Sequence, residues 1–146
     1  MRRASLITLI LIGASGLLSG QPPPENLLQQ EKWGRCKSED PAQAIAACSE
    51  LIGSGDMAEG TLGEAFESRG RAFAHRHDYD RAIQDYTQAA RLKPSNPNVF
   101  DGLGSAYWQK GDYDRTIENY DQALRLRPVD ANALIGRGLA YWAEGL

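Results

Sequence analysis

Few side chains in this sequence have the spacing that catalysis or metal binding requires. The two histidines, His75 and His77, flank Arg76, whose charge would repel a cation, and no cysteine or carboxylate pair stands at ligand spacing beside them. Glycine-rich phosphate loops, nucleophile elbows and Cys–His pairs are also missing. We therefore expect no metal, no cofactor and no enzymatic activity, and we interpret the histidines as a solvated helix end.

Two acidic triplets, Asp78-Tyr79-Asp80 and Asp112-Tyr113-Asp114, resemble calcium ligands at first sight. An EF-hand loop needs more oxygen ligands and a distal glutamate. Acidic residues at the start of a helix instead cap free amide groups and suit the helix dipole. We therefore predict that a helix begins at each triplet and that its tyrosine packs back on the preceding helix.

The N-terminal segment, residues 1–20, has the layout of a bacterial export signal. Arg2 and Arg3 precede an apolar run over residues 6–12, and small residues follow. The run is shorter than the roughly 20 residues of a membrane span. We expect cleavage near residue 20 and a periplasmic or secreted protein; an uncleaved signal that anchors the chain in the membrane is the alternative.

Two cysteines remain beyond that segment, Cys36 and Cys48. In the oxidising compartment that an exported protein meets, such a pair most simply forms a disulfide. Residues 21–27 contain three consecutive prolines and are predicted to be an extended spacer. Residues 28–60 are predicted to form two short helices, with Asp40 as the cap of the second.

A 34-residue repeat organises the rest of the chain. Residues 63–96 and 97–130 agree at 14 of 34 positions without a gap, and residues 131–146 match the start of the preceding block at 7 of 16. The shared skeleton has an aromatic residue, glycine, alanine and a second aromatic, then Asp-Tyr-Asp-Arg, Ile, Tyr, Gln-Ala, Arg-Leu and Pro.

This period and pattern resemble the tetratricopeptide repeat. The resemblance implies an all-α, right-handed superhelical solenoid of antiparallel helix pairs, with Gly70, Gly104 and Gly138 where the first helix of each pair meets its neighbour. Residues 131–146 then supply a first helix without its second. His77 stands where later units have Gly111 and Gly145, a turn expected to have positive φ.

Residues 28–60 resemble a degenerate first pair in the same register. Asp40 then stands where Asp78 stands in the next unit, and Cys48 takes the core place of Tyr86. A bridge from Cys48 to Cys36 would stabilise this pair, which has few large apolar residues, by about 3 kcal/mol.

In such an array the first helices line a concave groove, and the resemblance implies a protein or peptide partner there. The residues predicted to line the groove are Glu67, Arg71, His75, Asn98, Asp101, Ser105, Trp108, Gln109, Asn132, Ile135 and Trp142. Trp108 and Trp142 are either partner anchors or packed between helices. The family's clamp for C-terminal carboxylates is not expected, because only Arg71 suits it; Leu139 and others stand at the remaining clamp positions.

The sequence thus favours a non-catalytic scaffold that binds a peptide or protein segment outside the cytoplasm. A formal net charge of −3 and the absence of long like-charge clusters argue against a nucleic-acid partner. Two alternatives remain open: an inert remnant of a longer protein, and the docking arm of an enzyme whose catalytic part is absent. Self-association through the uncapped C-terminal helix is a further expectation.

Overall fold

The structure is a computed structural model that describes residues 25–145. The predicted export signal and the triple proline lie outside the described residues. Within them the secondary structure consists of seven α-helices: α1 Glu25–Cys36, α2 Pro41–Ser54, α3 Glu59–His75, α4 Tyr79–Leu92, α5 Pro97–Gln109, α6 Tyr113–Leu126 and α7 Ala131–Glu144. None of these helices is long and apolar enough to cross a membrane.

Two boundaries differ from the sequence prediction. Helix α1 begins at Glu25, so the last three residues of the predicted spacer are helical; no proline follows residue 24 in this stretch to prevent it. Helix α3 begins at Glu59 rather than after residue 60, because glycines at 60 and 63 are tolerated inside the helix. The chain divides after Glu31 into two units. Of the first unit the structure describes residues 25–31, the start of α1, and the second, from Lys32 onward, holds every feature described below.

Aspartate caps begin the second helix of each pair, as the sequence predicts. The carboxylate of Asp40 accepts from the backbone N–H of Ala42 at 3.0 Å. Asp78 and Asp112 each accept from the N–H three residues later, at 3.2 Å. These contacts explain the acidic triplets as helix starts.

The turn that follows the first helix of each repeat contains one residue with left-handed backbone. His77 has φ of 60°, and Gly111 and Gly145, its counterparts in the later units, have φ of 73° and 80°. The expectation of positive φ at this position is therefore confirmed. The His77 imidazole lies against its own turn, with Nδ1 2.8 Å from the Tyr79 hydroxyl.

A tyrosine ring joins each repeat to the next. A Cβ added to Gly70 would lie 3.2 Å from Cδ1 of Tyr86, and one added to Gly102 would lie 2.5 Å from Cζ of the same ring. Tyr86 therefore fills a slot between α3 and α5. Tyr120 does the same between α5 and α7, with Gly104 and Gly136 as the glycines that let the helices approach.

The third predicted crossing glycine behaves differently. A Cβ added to Gly138 would meet no atom within 4 Å. The prediction that Gly138 meets a neighbouring helix is wrong for the described residues, because no helix among them covers this side of α7.

The first helix pair is held by a disulfide instead of a tyrosine ring. Cys36 and Cys48 are bonded, and both are fully buried. They form a small core with Ala47, Leu51 and Ala65, and Trp33 packs against it. Residues 32–145 are thus an all-α solenoid of antiparallel helix pairs.

Candidate peptide-binding groove

Helix α3 borders a groove on the surface that the sequence assigns to the concave side. A pocket of about 560 Å³ lies between α3 and the turn that joins α1 to α2. A second pocket of about 350 Å³ continues along α3 and shares three of its residues with the first. We call this surface the α3 groove; its residues are Lys37, Ser38, Glu39, Pro41, Glu64, Glu67, Ser68, Arg71, Ala72, His75 and Lys93.

The carboxylates that α3 contributes to the groove already have partners. Glu64 accepts from Lys93 Nζ at 3.0 Å and lies 3.6 Å from Lys37 Nζ. The hydrogen bond from Lys93 lowers the pKa of Glu64, and the charge of Lys37 acts in the same direction. Glu67 accepts from Asn96 Nδ2 at 2.6 Å. These two carboxylates are therefore occupied by partners within the chain.

Arg71 is the exposed cation of the groove that has no such partner. Its side chain and that of His75 are exposed and make no hydrogen bond or ion pair among the described residues. Gly70 and Ala72, which flank Arg71 on α3, are buried, so Arg71 lies on the side of the helix that faces the groove. The guanidinium is consequently free to bind a carboxylate from another molecule in the bidentate geometry that arginine favours.

In the next repeat, two of the predicted groove residues are bonded to an arginine of the same chain. Arg127 donates to Asn98 Oδ1 at 3.1 Å and to Asp101 Oδ2 at 2.8 Å, and it also pairs with Asp130. Asn98 and Asp101 are thus brought together with each other by Arg127 rather than by a ligand.

Of the two carboxyl groups in this cluster, Asp101 is the one whose pKa is raised. Its burial, reinforced by the nearby carboxylate of Asp130, raises the pKa of Asp101 to about 6. The preceding repeat holds Glu67 and Asn96 at the same two positions, where an amide hydrogen-bonds a carboxylate. In the second repeat both of these positions carry a carboxyl group, Asp101 and Asp130. The negative charge of Asp130 disfavours ionisation of Asp101.

The two predicted tryptophan anchors have different surroundings. Trp108 is half-buried, and its ring centroid lies 5.2 Å from that of Tyr113 on α6. This contact confirms, for Tyr113, that the tyrosine of the acidic triplet packs back on the preceding helix; the ring of Tyr79 instead contacts His77 in the turn. Trp142 is 78% exposed, because the described residues contain no helix in the place that α6 has beside α5.

The remaining predicted groove residues follow α5 and α7. Ser105 and Gln109 are exposed on α5, and Asn132 and Ile135 are exposed on α7. None of these four residues lines the α3 groove. The structure therefore brings Glu67, Arg71 and His75 together along α3, and it brings Asn98 and Asp101 together around Arg127.

The sequence analysis did not find the residues from the α1–α2 turn. Lys37, Ser38, Glu39 and Pro41 form one wall of the α3 groove. The aspartate caps of the first two pairs stand further apart in the sequence than the repeat period, so the repeat gives no register for this turn. Lys93 could have been found from the repeat, because Lys93 and Arg127 are basic residues at equivalent positions. In the structure Lys93 binds Glu64, and Arg127 binds Asp101.

Helix pairs that recur with a constant period, with small residues where the helices cross, define a helical-repeat protein of the kind that presents a concave binding surface. A family model for the TPR repeat matches residues 70–111 and 104–145, which together span just over half of the chain. The chain belongs to the tetratricopeptide repeat family.

Solved structures have the same fold. The chain is 27% identical to one crystal structure of MamA, with a TM-score of 0.67 over 73% of this chain and 56% of that one. A second MamA structure gives a TM-score of 0.73 at 23% identity, over 90% of this chain and 75% of that one. This chain therefore spans little more than half of the first MamA chain. No curated protein sequence matches it.

A human relative was solved with a ligand. The second TPR domain of human RPAP3, in complex with the HSP70 peptide SGPTIEEVD, gives a TM-score of 0.66 at 22% identity. The match covers 77% of this chain and 90% of that one.

Proposed function

We propose that this protein is a non-catalytic scaffold that binds an acidic peptide or protein segment in the α3 groove, outside the cytoplasm. The observation that carries the proposal is Arg71, an exposed guanidinium at the junction of two pockets where the two carboxylates that α3 contributes to the groove already have partners. A carboxylate placed on Arg71 would gain a charge-assisted hydrogen bond without displacing an internal partner.

The form of the groove supports an extended segment as ligand. Its two pockets follow each other along α3, and their lining mixes small residues such as Ser68 and Ala72 with charged side chains. The related RPAP3 domains were solved with the acidic peptides SGPTIEEVD and SRMEEVD. We propose the same general ligand chemistry here, with the acidic side chains rather than a free C-terminus as the recognised group.

The location outside the cytoplasm rests on two features. Residues 1–20 have the order of charge, apolar run and small residues that export signals have. The buried disulfide between Cys36 and Cys48 suits an oxidising compartment. Fractionation of cells that express the tagged chain tests this part: a cytosolic product with two titratable thiols would contradict it.

Calorimetric titration of the full chain with amidated SRMEEVD tests the groove. We expect saturable binding that weakens about tenfold, or roughly 1.4 kcal/mol, in Arg71→Ala. Because the proposed site recognises acidic side chains rather than a C-terminal carboxylate, SRMEEVD with a free C-terminus should bind with the same affinity as the amidated peptide. A version with neutral side chains at the three acidic positions, SRMQQVN-amide, should bind at least tenfold more weakly.

Arg91→Ala supplies the matched control, since Arg91 is an exposed arginine on α4, away from the α3 groove. It should leave the affinity unchanged. Equal binding of the acidic and neutral peptides, or equal losses in Arg71→Ala and Arg91→Ala, would contradict the proposal.

A further inference from the structure

The larger pocket of the α3 groove contains two basic residues of the same helix. Arg71 and His75 stand four residues apart on α3, so their side chains leave the same face of the helix, about 6 Å apart along its axis. Both side chains are exposed, and neither makes a hydrogen bond or an ion pair among the described residues. The α3 wall of the pocket therefore offers two free anion-binding groups, one helical turn apart.

The opposite wall of that pocket, the α1–α2 turn, has a different distribution of charge. Its cation, Lys37, has Nζ 3.6 Å from a carboxylate oxygen of Glu64 and 4.6 Å from the centre of the Trp33 ring. Its carboxylate, Glu39, is exposed and has no hydrogen-bond or ion-pair partner among the described residues. An acidic ligand side chain on this wall would meet the charge of Glu39 and would compete with Glu64 for Lys37.

An extended ligand would contact the two walls alternately. Successive side chains of an extended chain point to opposite sides, and side chains two residues apart are on the same side, separated by about 6.5–7 Å. This spacing is close to the separation of Arg71 and His75 along α3. Two acidic residues with one residue between them can therefore contact both bases, whereas two adjacent acidic residues would place one carboxylate against the turn.

We propose that the α3 groove selects segments with acidic residues two positions apart, because one carboxylate binds Arg71 and the other binds His75. The residue between them faces the wall that carries Glu39 and is neutral or basic. The inference rests on the proposed function and specifies its ligand. His75 binds a carboxylate most strongly as an imidazolium, so binding of such a segment strengthens as pH falls from about 7.5 to about 6.

Charged groups of both signs lie near His75. Arg71 on α3, Arg76 in the turn after it and Lys37 across the pocket disfavour a positive charge at this position. Glu39 favours one. Of the described residues of α2, α4 and α5, none that lines this pocket is charged. A ligand carboxylate beside the imidazole stabilises its protonated form, so by linkage the acidic segment and the proton each strengthen the binding of the other.

Two amidated peptides of equal net charge test the spacing. SRMQEVD-amide has acidic residues two positions apart, and SRMEEVN-amide has them adjacent. In calorimetric titrations of the full chain at pH 6, we expect SRMQEVD-amide to bind about threefold more tightly, which is the ratio that one exposed ion pair supports. At pH 7.5 the ratio should fall towards one, because the affinity for SRMQEVD-amide falls while that for SRMEEVN-amide stays nearly constant. This comparison uses the unmodified chain and does not depend on the folding of any variant.

Substitutions then assign the effect to His75. His75→Gln should abolish both the preference between the peptides and the pH dependence. The matched control is His77, which lines a different pocket; His77→Asn suits its left-handed backbone and should change neither property. Glu39→Gln should reduce the preference, because the adjacent acidic residue would then meet no like charge on the turn. Circular dichroism checks that each variant is folded.

The outcomes separate this inference from the proposed function. Equal affinities of the two peptides at pH 6, both weakened in Arg71→Ala, would overturn the inference and leave the proposed function in place. A pH dependence that persists in His75→Gln would also overturn it, since the effect would then belong to another group, such as Asp101. Binding of neither peptide at either pH would contradict both.

Discussion

Helices α3 and α7 take the same place in their repeats and share Arg69-Gly70 and Arg137-Gly138, but different helices lie against them. In α3, Gly70 touches a tyrosine and Phe73 is buried; in α7, Gly138 touches no neighbouring helix of the described part and Tyr141 is exposed. The exposure of a residue in this fold therefore depends on the following helix rather than on the residue's own type. Trp142 illustrates the point, since its counterpart Trp108 is half-buried by Tyr113.

The first helix pair, α1 and α2, is held together differently from the later pairs. A tyrosine ring joins the later pairs, whereas the first pair has Cys48 at that position, bonded to Cys36. Two cysteines occupy less volume than a tyrosine packed between helices, and the pair has a correspondingly small core. The covalent bond offsets the smaller hydrophobic contribution.

Reduction of the disulfide should have the largest effect on stability. Opening a bridge between residues 12 apart is expected to cost about 3 kcal/mol, mostly through greater freedom of the unfolded chain. Thermal unfolding with and without reductant measures it. An unchanged melting temperature would show that the first pair is held by packing, as the later pairs are.

Gly102→Ala should break the junction between repeats. The added Cβ would lie 2.5 Å from the Tyr86 ring, and both the ring and the α5 backbone are packed. Overpacking of this kind costs about 1–3 kcal/mol, more than the helix propensity that alanine adds. Urea unfolding monitored by circular dichroism gives the difference. A variant as stable as the parent would mean that α3 and α5 are not this close.

Asp101→Asn should change how stability depends on pH. The pKa of Asp101 is raised to about 6, so the folded state binds this proton more tightly than the unfolded chain does. Stability from this group is therefore present at low pH and is lost as pH rises from about 4 to about 6. The asparagine variant should gain stability relative to the parent as pH rises through that window, measured by unfolding at a series of pH values.

Two other aspartates, Asp78 and Asp112, titrate outside that window, because each is paired with an arginine. Hydrogen bonds from arginines lower the pKa of Asp78 and Asp112, so their contributions are lost only at pH values below their ordinary pKa. In Asp130→Asn the neighbouring charge is removed, and carboxyl NMR should show a lower pKa for Asp101. An identical pH profile in Asp101→Asn and the parent would contradict the assignment.

Gly138→Ala should have the smallest effect and the opposite sign to Gly102→Ala. The site has room for a Cβ, and alanine favours the helix over glycine by roughly 0.5–1 kcal/mol. The same urea experiment compares the two substitutions directly. A loss of stability in Gly138→Ala would show that a helix already covers this side of α7.

Much of the fold follows from the repeat period. The spacing of glycine, alanine and aromatic residues predicts the helix pairs, and local chemistry predicts the caps at Asp40, Asp78 and Asp112. These features depend on residues close in sequence. The predicted spacer ends at residue 27, whereas its last proline is Pro24 and α1 begins at the next residue, Glu25.

The binding surface was only partly predictable. Arg71 and His75 follow from the helical periodicity of α3. The wall formed by Lys37 and its neighbours does not, since it depends on how a degenerate pair packs on α3. The sequence left Trp108 and Trp142 with the same two possible roles, whereas Tyr113 of α6 contacts Trp108 and no described helix covers Trp142.

Photo-crosslinking from two positions tests most directly that ligands bind along the first helices. Benzoylphenylalanine replaces His75 in the α3 groove in one protein and Gln88, exposed on α4, in another. With amidated SRMEEVD as ligand, we predict crosslinks from position 75 that an excess of unlabelled peptide removes, and none from position 88. Crosslinks from position 88 alone would contradict the account.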